Sequence, residues 1–339
     1  MGLRALNNPK SSFEDPYSST GTEAWGPPPP ACGTCKWYGN RGLFVGGYTN
    51  TQTNIIDYVT IWNTGNATDF GDLTAVRYSA AACSNGTRGL CGGGHDNSNA
   101  TAQTDYIVIA TTGNAVSQGD LTQARVAPAA VCDGSRGVFA GGDEPGGGAY
   151  VDTIDYFSVA TTGNATDFGN LLSSGKKEAG GCSNNSRGLF GGGKRSAAIN
   201  EISYITIQTS GNSTDFGDLT EALRYLGACS SATRGVFGGG SNDNGDWINV
   251  LNYVTIDTPG NATDFGDLTV ARRNLAATQN GPEGGTGGAN PERGIFGGGN
   301  VDGVNSNVID RFSIPTTGNA SDFGDLTVAR TDISACSGD

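Results

Sequence analysis

One string of eleven residues dominates this chain. TGNATDFGDLT begins at Thr64, and near-copies begin at Thr162, Ser210, Pro259 and Thr317. A degenerate copy, TGNAVSQGDLT, begins at Thr112. A second string, RGLFVGG at Arg41, returns in variant form at Arg88, Arg136, Arg187, Arg234 and Arg293. The intervals between these arginines are 47, 48, 51, 47 and 59 residues. A period of about 40–50 residues built from short β patterns is the period of propeller blades.

Each period holds four strand-like pieces. Piece A is small and apolar, as in SAAACS (Ser79), EAGGC (Glu178) and DISACS (Asp332). Piece B is the RG(L/V/I)F strand with its glycine doublet. Piece C alternates, as in NIIDYVTI (Asn54), and piece D is the eleven-residue string. Near a propeller axis neighbouring blades leave little room, so Ala, Gly, Ser and Cys suit A, while bulkier B and C fill the widening wedge. The 56 glycines, with no collagen period, agree with many tight turns. The order at the ends is also informative. Arg41 opens a B with no A before it, and the chain finishes on an orphan A, DISACSGD. Joined, they rebuild one unit. The expected fold is therefore all-β: a six-bladed propeller over residues 40–339, four antiparallel strands per blade, closed by the C-terminal strand entering the N-terminal blade.

The glycine doublets of B, the aromatic of C (Tyr58, Tyr106, Tyr156, Tyr204, Tyr253) and a final aromatic in D resemble the kelch repeat. D departs from it, with Phe70, Phe168, Phe216, Phe265 and Phe323 where kelch repeats usually carry Trp. The resemblance implies the fold and leaves function open, because propellers of this type do many things.

Residues 1–39 differ. They carry turn residues, a polyproline run (Pro27–Pro30) and isolated Leu3, Leu6, Phe13, Tyr17 and Trp25. Polyproline is a stiff spacer, so this segment reads as an extended arm whose apolar residues bind a partner. The arm sequence ALNNPKSSFEDPYSSTGTEA, joined to near-identical repeats, resembles virion structural proteins of marine bacteriophages, especially those of cyanobacteria. The resemblance implies a non-enzymatic tail, fibre, neck or capsid decoration protein. It would be present in several copies, docked on other virion proteins through its arm, and would touch host surface glycan or protein. Its expected location is the virion, assembled in the host cytoplasm. A free lectin-like or protein-binding propeller is the alternative, and an enzyme with an Asp/Arg-lined channel a third reading.

Composition excludes other classes. A formal charge of -13 without clustered Lys and Arg argues against nucleic acid. No apolar run reaches the ~20 residues of a membrane span, and the N-terminus lacks the apolar core of a secretion signal. The single histidine, His95, reads as a solvent-exposed loop residue and cannot supply a Ser-His-Asp set or a histidine metal site. Cys83, Cys132, Cys182, Cys229 and Cys336 read as one A-strand position, with Thr278 in the sixth, and as packing rather than metal ligands. Cys32 and Cys35 form a lone CxxC, either a local disulfide or two free thiols. No catalytic, cofactor or metal residue is expected.

The Asn of the repeated string makes a glycosylation sequon at Asn66, Asn164, Asn212, Asn261 and Asn319, and reads first as turn chemistry between C and D. A second arginine series follows D: Arg77, Arg125, Arg224, Arg272 and Arg330, with Lys176 and Lys177 in the third unit. Asp72, Asp218, Asp267 and Asp325 are its expected ion-pair partners. An arginine ring holding an acidic ligand is the alternative. The B-to-C loops vary most and are the expected ligand-facing surface, represented by Tyr48, His95, Asp143, Lys194, Asp243 and Trp247. The insert Gly281–Glu292 is expected on the opposite face.

Overall fold

The computed structural model describes residues 39–146, 149–280 and 292–339. The expectations for Leu3, Leu6, Phe13, Tyr17, Trp25, Cys32 and Cys35 lie outside the described residues, as does nearly all of the insert 281–292. The described chain is a six-bladed β-propeller, and each blade is a four-stranded antiparallel sheet in the order A-B-C-D. Blade 2 shows the pattern: Ala81–Ser84, Arg88–Gly92, Gln103–Val108 and Val116–Asp120. Blade 1 is composite. Its A strand is Ser334–Gly338, paired with the B strand Arg41–Val45 in the register Leu43↔Cys336. The ends of the chain thus close the ring, as their order along the sequence predicts.

The A strands surround the axis, where Ala82, Ala130, Gly181, Ala228, Ala277 and Ala335 line a narrow channel. Their neighbours point between blades. The sulfurs of Cys83, Cys182, Cys229 and Cys336 would lie 2.7–3.0 Å from a Cβ placed on Gly137, Gly235, Gly294 and Gly89 of the next blade's B strand. The glycine of the RG pair is therefore set by a sulfur packed on the backbone. Cys132 departs from the expected alignment. Val131 pairs with Val138 where the cysteines pair in other blades, and Cys132 takes the following position, that of Ser84 and Ser183. Burial pushes the Cys182, Cys229 and Cys336 thiols well up.

Between blades, size is matched. The rings of Phe44, Phe139, Phe237 and Phe296 cover Gly297, Gly92, Gly191 and Gly238 one blade back, and Phe190 shares a core cluster with Ala140. At the sixth junction the large residue becomes Cys91 and the small one Val45, again in one cluster. The volumes have been exchanged, as close packing demands. Cys91→Phe and Val45→Gly are each expected to cost about 1–3 kcal/mol, by overpacking and by cavity formation. The double variant should recover at least about 1 kcal/mol of the summed loss in chemical denaturation. Additive losses would show that the two sites are not complementary.

Charge is matched in the same way. Arg77, Arg125, Arg272 and Arg330 are 0–1 % exposed and pair with Asp105, Asp155, Asp310 and Asp57 at 2.6–3.1 Å. These partners sit on the C strand of the following blade; Asp72, Asp218, Asp267 and Asp325 do not make the pairs expected of them. Arg224 does not belong to the series either, since Leu223 occupies the buried place and faces a blade whose aspartate has become Asn252. Lys176 occupies it at the preceding junction, between blades 3 and 4, where Ser203 replaces the aspartate, and pairs with Glu201 at 3.4 Å. Burial lowers the Lys176 pKa to about 8, with Glu201 acting in the opposite direction.

The repeated D string is an outer belt. Its asparagine reaches across the junction, not around the turn: Asn66, Asn114, Asn164, Asn212, Asn261 and Asn319 each accept, through Oδ1, the backbone N–H of a D-strand residue in the preceding blade at 3.0–3.1 Å. The strings also press together. Gly71 has φ +146°, and a Cβ there would come 2.5 Å from the Gly113 carbonyl oxygen of the next blade. The first arginine series completes the tie. Arg41, Arg88, Arg136, Arg187, Arg234 and Arg293 donate to carbonyls at the end of the next blade's C strand, at 2.7–3.3 Å. In blade 2 the missing D-strand Phe is Gln118, buried, with Nε2 donating to Thr161 O at 2.7 Å.

Candidate functional site

At the face where B strands end and A strands begin, the six backbones are equivalent and the side chains are not. Each A strand is entered through a residue in the left-handed region: Ser79, Ala127, Glu178, Tyr225, Asn274 and Asp332, with φ of +50° to +62°. That conformation costs a non-glycine residue about 1–2 kcal/mol. It is held because each N–H donates to the carbonyl of the equivalent residue one blade back, at 2.8–3.1 Å, and the six bonds form a closed circle.

One residue earlier, Tyr78, Val126, Lys177, Arg224, Arg273 and Thr331 each make a β-bridge to the B-to-C loop of the blade whose A strand they enter, at His95, Asp143, Lys194, Ser241, Asn300 and Tyr48. Tyr48, His95, Asp143 and Lys194, expected as loop residues facing a ligand, therefore share one position around the mouth. Asp243 and Trp247 do not share it. Asp243 accepts the Ala198 N–H on both carboxylate oxygens at 3.0 Å, and Trp247 bridges back to Ser241. His95 is half-buried rather than solvent-exposed, its ring 5.2 Å from Tyr78 and its Nδ1–H donating to Asp96 O at 2.5 Å.

What all six blades share at these positions is backbone bonding, so the side chains are free to diverge. They frame a cavity of about 350 Å³ whose lining includes Tyr78, Glu178, Tyr225, Arg273, Asn274 and Asp332. Around it, one sector of the mouth is aromatic, with Tyr48 and Tyr78 ring centroids 5.6 Å apart beside His95, and of these Tyr78 lines the cavity. A second is ionic. Lys177 lies 2.6 Å from Asp143 and 3.6 Å from Glu178; burial acts against its charge, but these carboxylates outweigh it and raise its pKa. A third is cationic and aromatic, with the Arg224 and Arg273 guanidinium carbons 5.4 and 5.6 Å from the Tyr225 ring centroid and Arg273 5.5 Å from Trp247.

Burial raises the pKa of Glu178 against the opposing Lys177, and that of Asp332 against hydrogen bonds from Ser79 and Asn274. Burial, then the Glu178 carboxylate, pushes the Tyr225 phenol up. The cavity thus presents carboxylates, guanidiniums, amides and aromatic faces together, the groups that recognise a polar ligand. The channel below it is walled by small residues, and the Arg–Asp pairs are buried between blades, so no Asp/Arg-lined channel exists among the described residues.

Sequence reasoning missed the inner circle. Glu178, Asn274 and Asp332 stand first in their A strings, ahead of the small residues, and that position is polar or charged in some units and not in others. It was the available signal. Among the described residues no group of three or more His, Cys, Asp or Glu is placed to hold a metal ion, and no helix is long and apolar enough to cross a membrane. No protein-family model matches the chain, and no curated protein matches it significantly.

Proposed function

We propose that this chain is a non-enzymatic structural protein of a bacteriophage particle, a kelch-type propeller held by its N-terminal arm and presenting a recognition face. The observation that carries the recognition role is the mouth itself. Backbone symmetry is complete there, while the inner-circle residues are all different. A purely structural ring has no use for such variety.

A second observation supports the anchoring geometry. The propeller chain starts at the other face, where Asn40 N–H donates to Asp339 Oδ1 at 2.6 Å and Asn40 Oδ1 accepts the Trp62 N–H at 3.0 Å. Asn40 and the mouth therefore lie at opposite faces of the propeller, as suits a tail, fibre, neck or decoration module that docks on virion proteins and faces a host surface. The resemblance of the arm to virion proteins supplies the particle itself.

Removing residues 1–31 is expected to leave a folded propeller that is absent from assembled particles, read by mass spectrometry of purified virions. Particles still carrying it would refute the arm's role. The lining of the mouth also favours the lectin-like reading, in which the propeller acts free of any particle; glycan binding without particle incorporation of the full chain would select it.

A further inference from the structure

The mouth carries an inventory of unmet hydrogen bonds in and beside the cavity. Most described cations are consumed by the fold, in the buried ion pairs or in bonds to carbonyls of the next blade. Arg224 and Arg273 are not: among the described residues neither makes an ion pair or a side-chain hydrogen bond, and both lie against the same Tyr225 ring. Their Nε–H groups and the indole N–H of Trp247 are buried donors without acceptors. Nearby, Oε2 of Glu178 is a buried acceptor without a donor. A buried polar group lacking its partner costs free energy that a ligand can recover.

The two deficits are of opposite kinds. Guanidiniums match the planar, paired oxygens of an oxyanion. A carboxylate needs hydroxyl donors. Tyr48, Tyr78 and His95, in another sector of the same mouth, supply aromatic faces of the sort on which the apolar face of a sugar ring can rest. A free phosphate or sulfate meets the first deficit alone, and a neutral sugar only the second. In a chain of net charge -13, an unpaired guanidinium lining the cavity, with a second against the same Tyr225 ring, marks the place where a negative group is admitted.

We propose that the mouth binds an acidic saccharide, with the sugar's carboxylate, sulfate or phosphate on Arg224 and Arg273 and a ring hydroxyl donating to Glu178. This rests on the recognition role proposed above and adds the ligand class. The cavity's volume accommodates a short stretch of such a chain, with the remainder in solvent.

The test is calorimetric titration of the full chain with four probes: an oligogalacturonate, the same oligomer fully methyl-esterified, a sulfated galactan oligosaccharide, and inorganic sulfate. Binding of either acidic oligosaccharide at least tenfold tighter than both the ester and sulfate is expected, with preference between the two acids identifying the anion. Arg273→Gln and Arg224→Gln should each weaken it about tenfold or more, and Glu178→Gln should weaken the oligosaccharide while leaving sulfate unchanged. Thermal melts of each variant establish that it is folded.

Equal binding of acid and ester, sulfate binding as tight as the oligosaccharides, or unchanged affinity in a folded Arg273→Gln variant would each overturn the proposal. So would the absence of any binding. If the full chain is still incorporated into particles in that last case, the anchoring role survives and only the ligand assignment falls.

Discussion

Asp105→Ala is expected to destabilise the propeller by about 3–5 kcal/mol, because it leaves the Arg77 guanidinium uncompensated in an interface closed to water. Asp105 also accepts the Thr74 backbone N–H at 3.1 Å and its hydroxyl at 2.6 Å, so the substitution removes a second tie between blades. The chain contains its own remedy. Between blades 4 and 5 the arginine is Leu223, the aspartate is Asn252, and Asn252 Oδ1 still accepts the Thr220 N–H at 3.2 Å. Arg77→Leu combined with Asp105→Asn should therefore recover most of the loss, since a buried ion pair replaced by matched neutral groups is often close to neutral. Urea denaturation followed by two probes decides the matter. A single-variant loss under about 1 kcal/mol, or a double variant no better than Asp105→Ala, would contradict it.

Deleting Thr331–Asp339 should have the larger effect still, abolishing the cooperative thermal transition. The deletion removes the A strand that pairs with Arg41–Val45 and takes Asp332 out of the backbone circle at the mouth. It also uncovers the B strand of blade 1 as a free edge, a surface that invites aggregation. Against a typical domain stability of about 5–15 kcal/mol, losing closure and one strand of a blade leaves no margin. A melt shifted by only a few degrees would show that the ring holds without its closing strand.

Much of this was legible in the residues. Repetition counted the blades, the order of pieces at the two ends predicted the composite blade, and the size of A-strand residues placed them at the axis. What was misread among the repeats was a matter of register or of partner. Cys132 and Arg224 each stand one residue away from their apparent equivalents, and repeat alignment by residue type assigned them to the wrong set. A one-residue shift in a strand reverses the face that a side chain occupies, so Val131 and Leu223 took the positions facing the next blade instead. The partners of the arginines were misassigned because an Asp follows Phe-Gly in four of the five D strings that carry it, whereas the true partners lie on C strands of the following blade.

The same distinction explains the mouth. Local chemistry decides that TGNATDFGDLT forms strands and turns, and its recurrence decides that six such units must close on one another. The chain alone determined that much, because in every blade but the composite first one strand pairing joins segments adjacent in sequence. Contacts between blades are different. The Asn66 carboxamide serves Asp325, Arg330 meets Asp57, and Ser79 donates to Asp332, pairs that the linear order separates and only the circular arrangement brings together. The string that most plainly marks the fold proved to be the belt between blades. The candidate site is made of the residues that the belt leaves free to vary, and their convergence on one cavity was decided by closure of the ring.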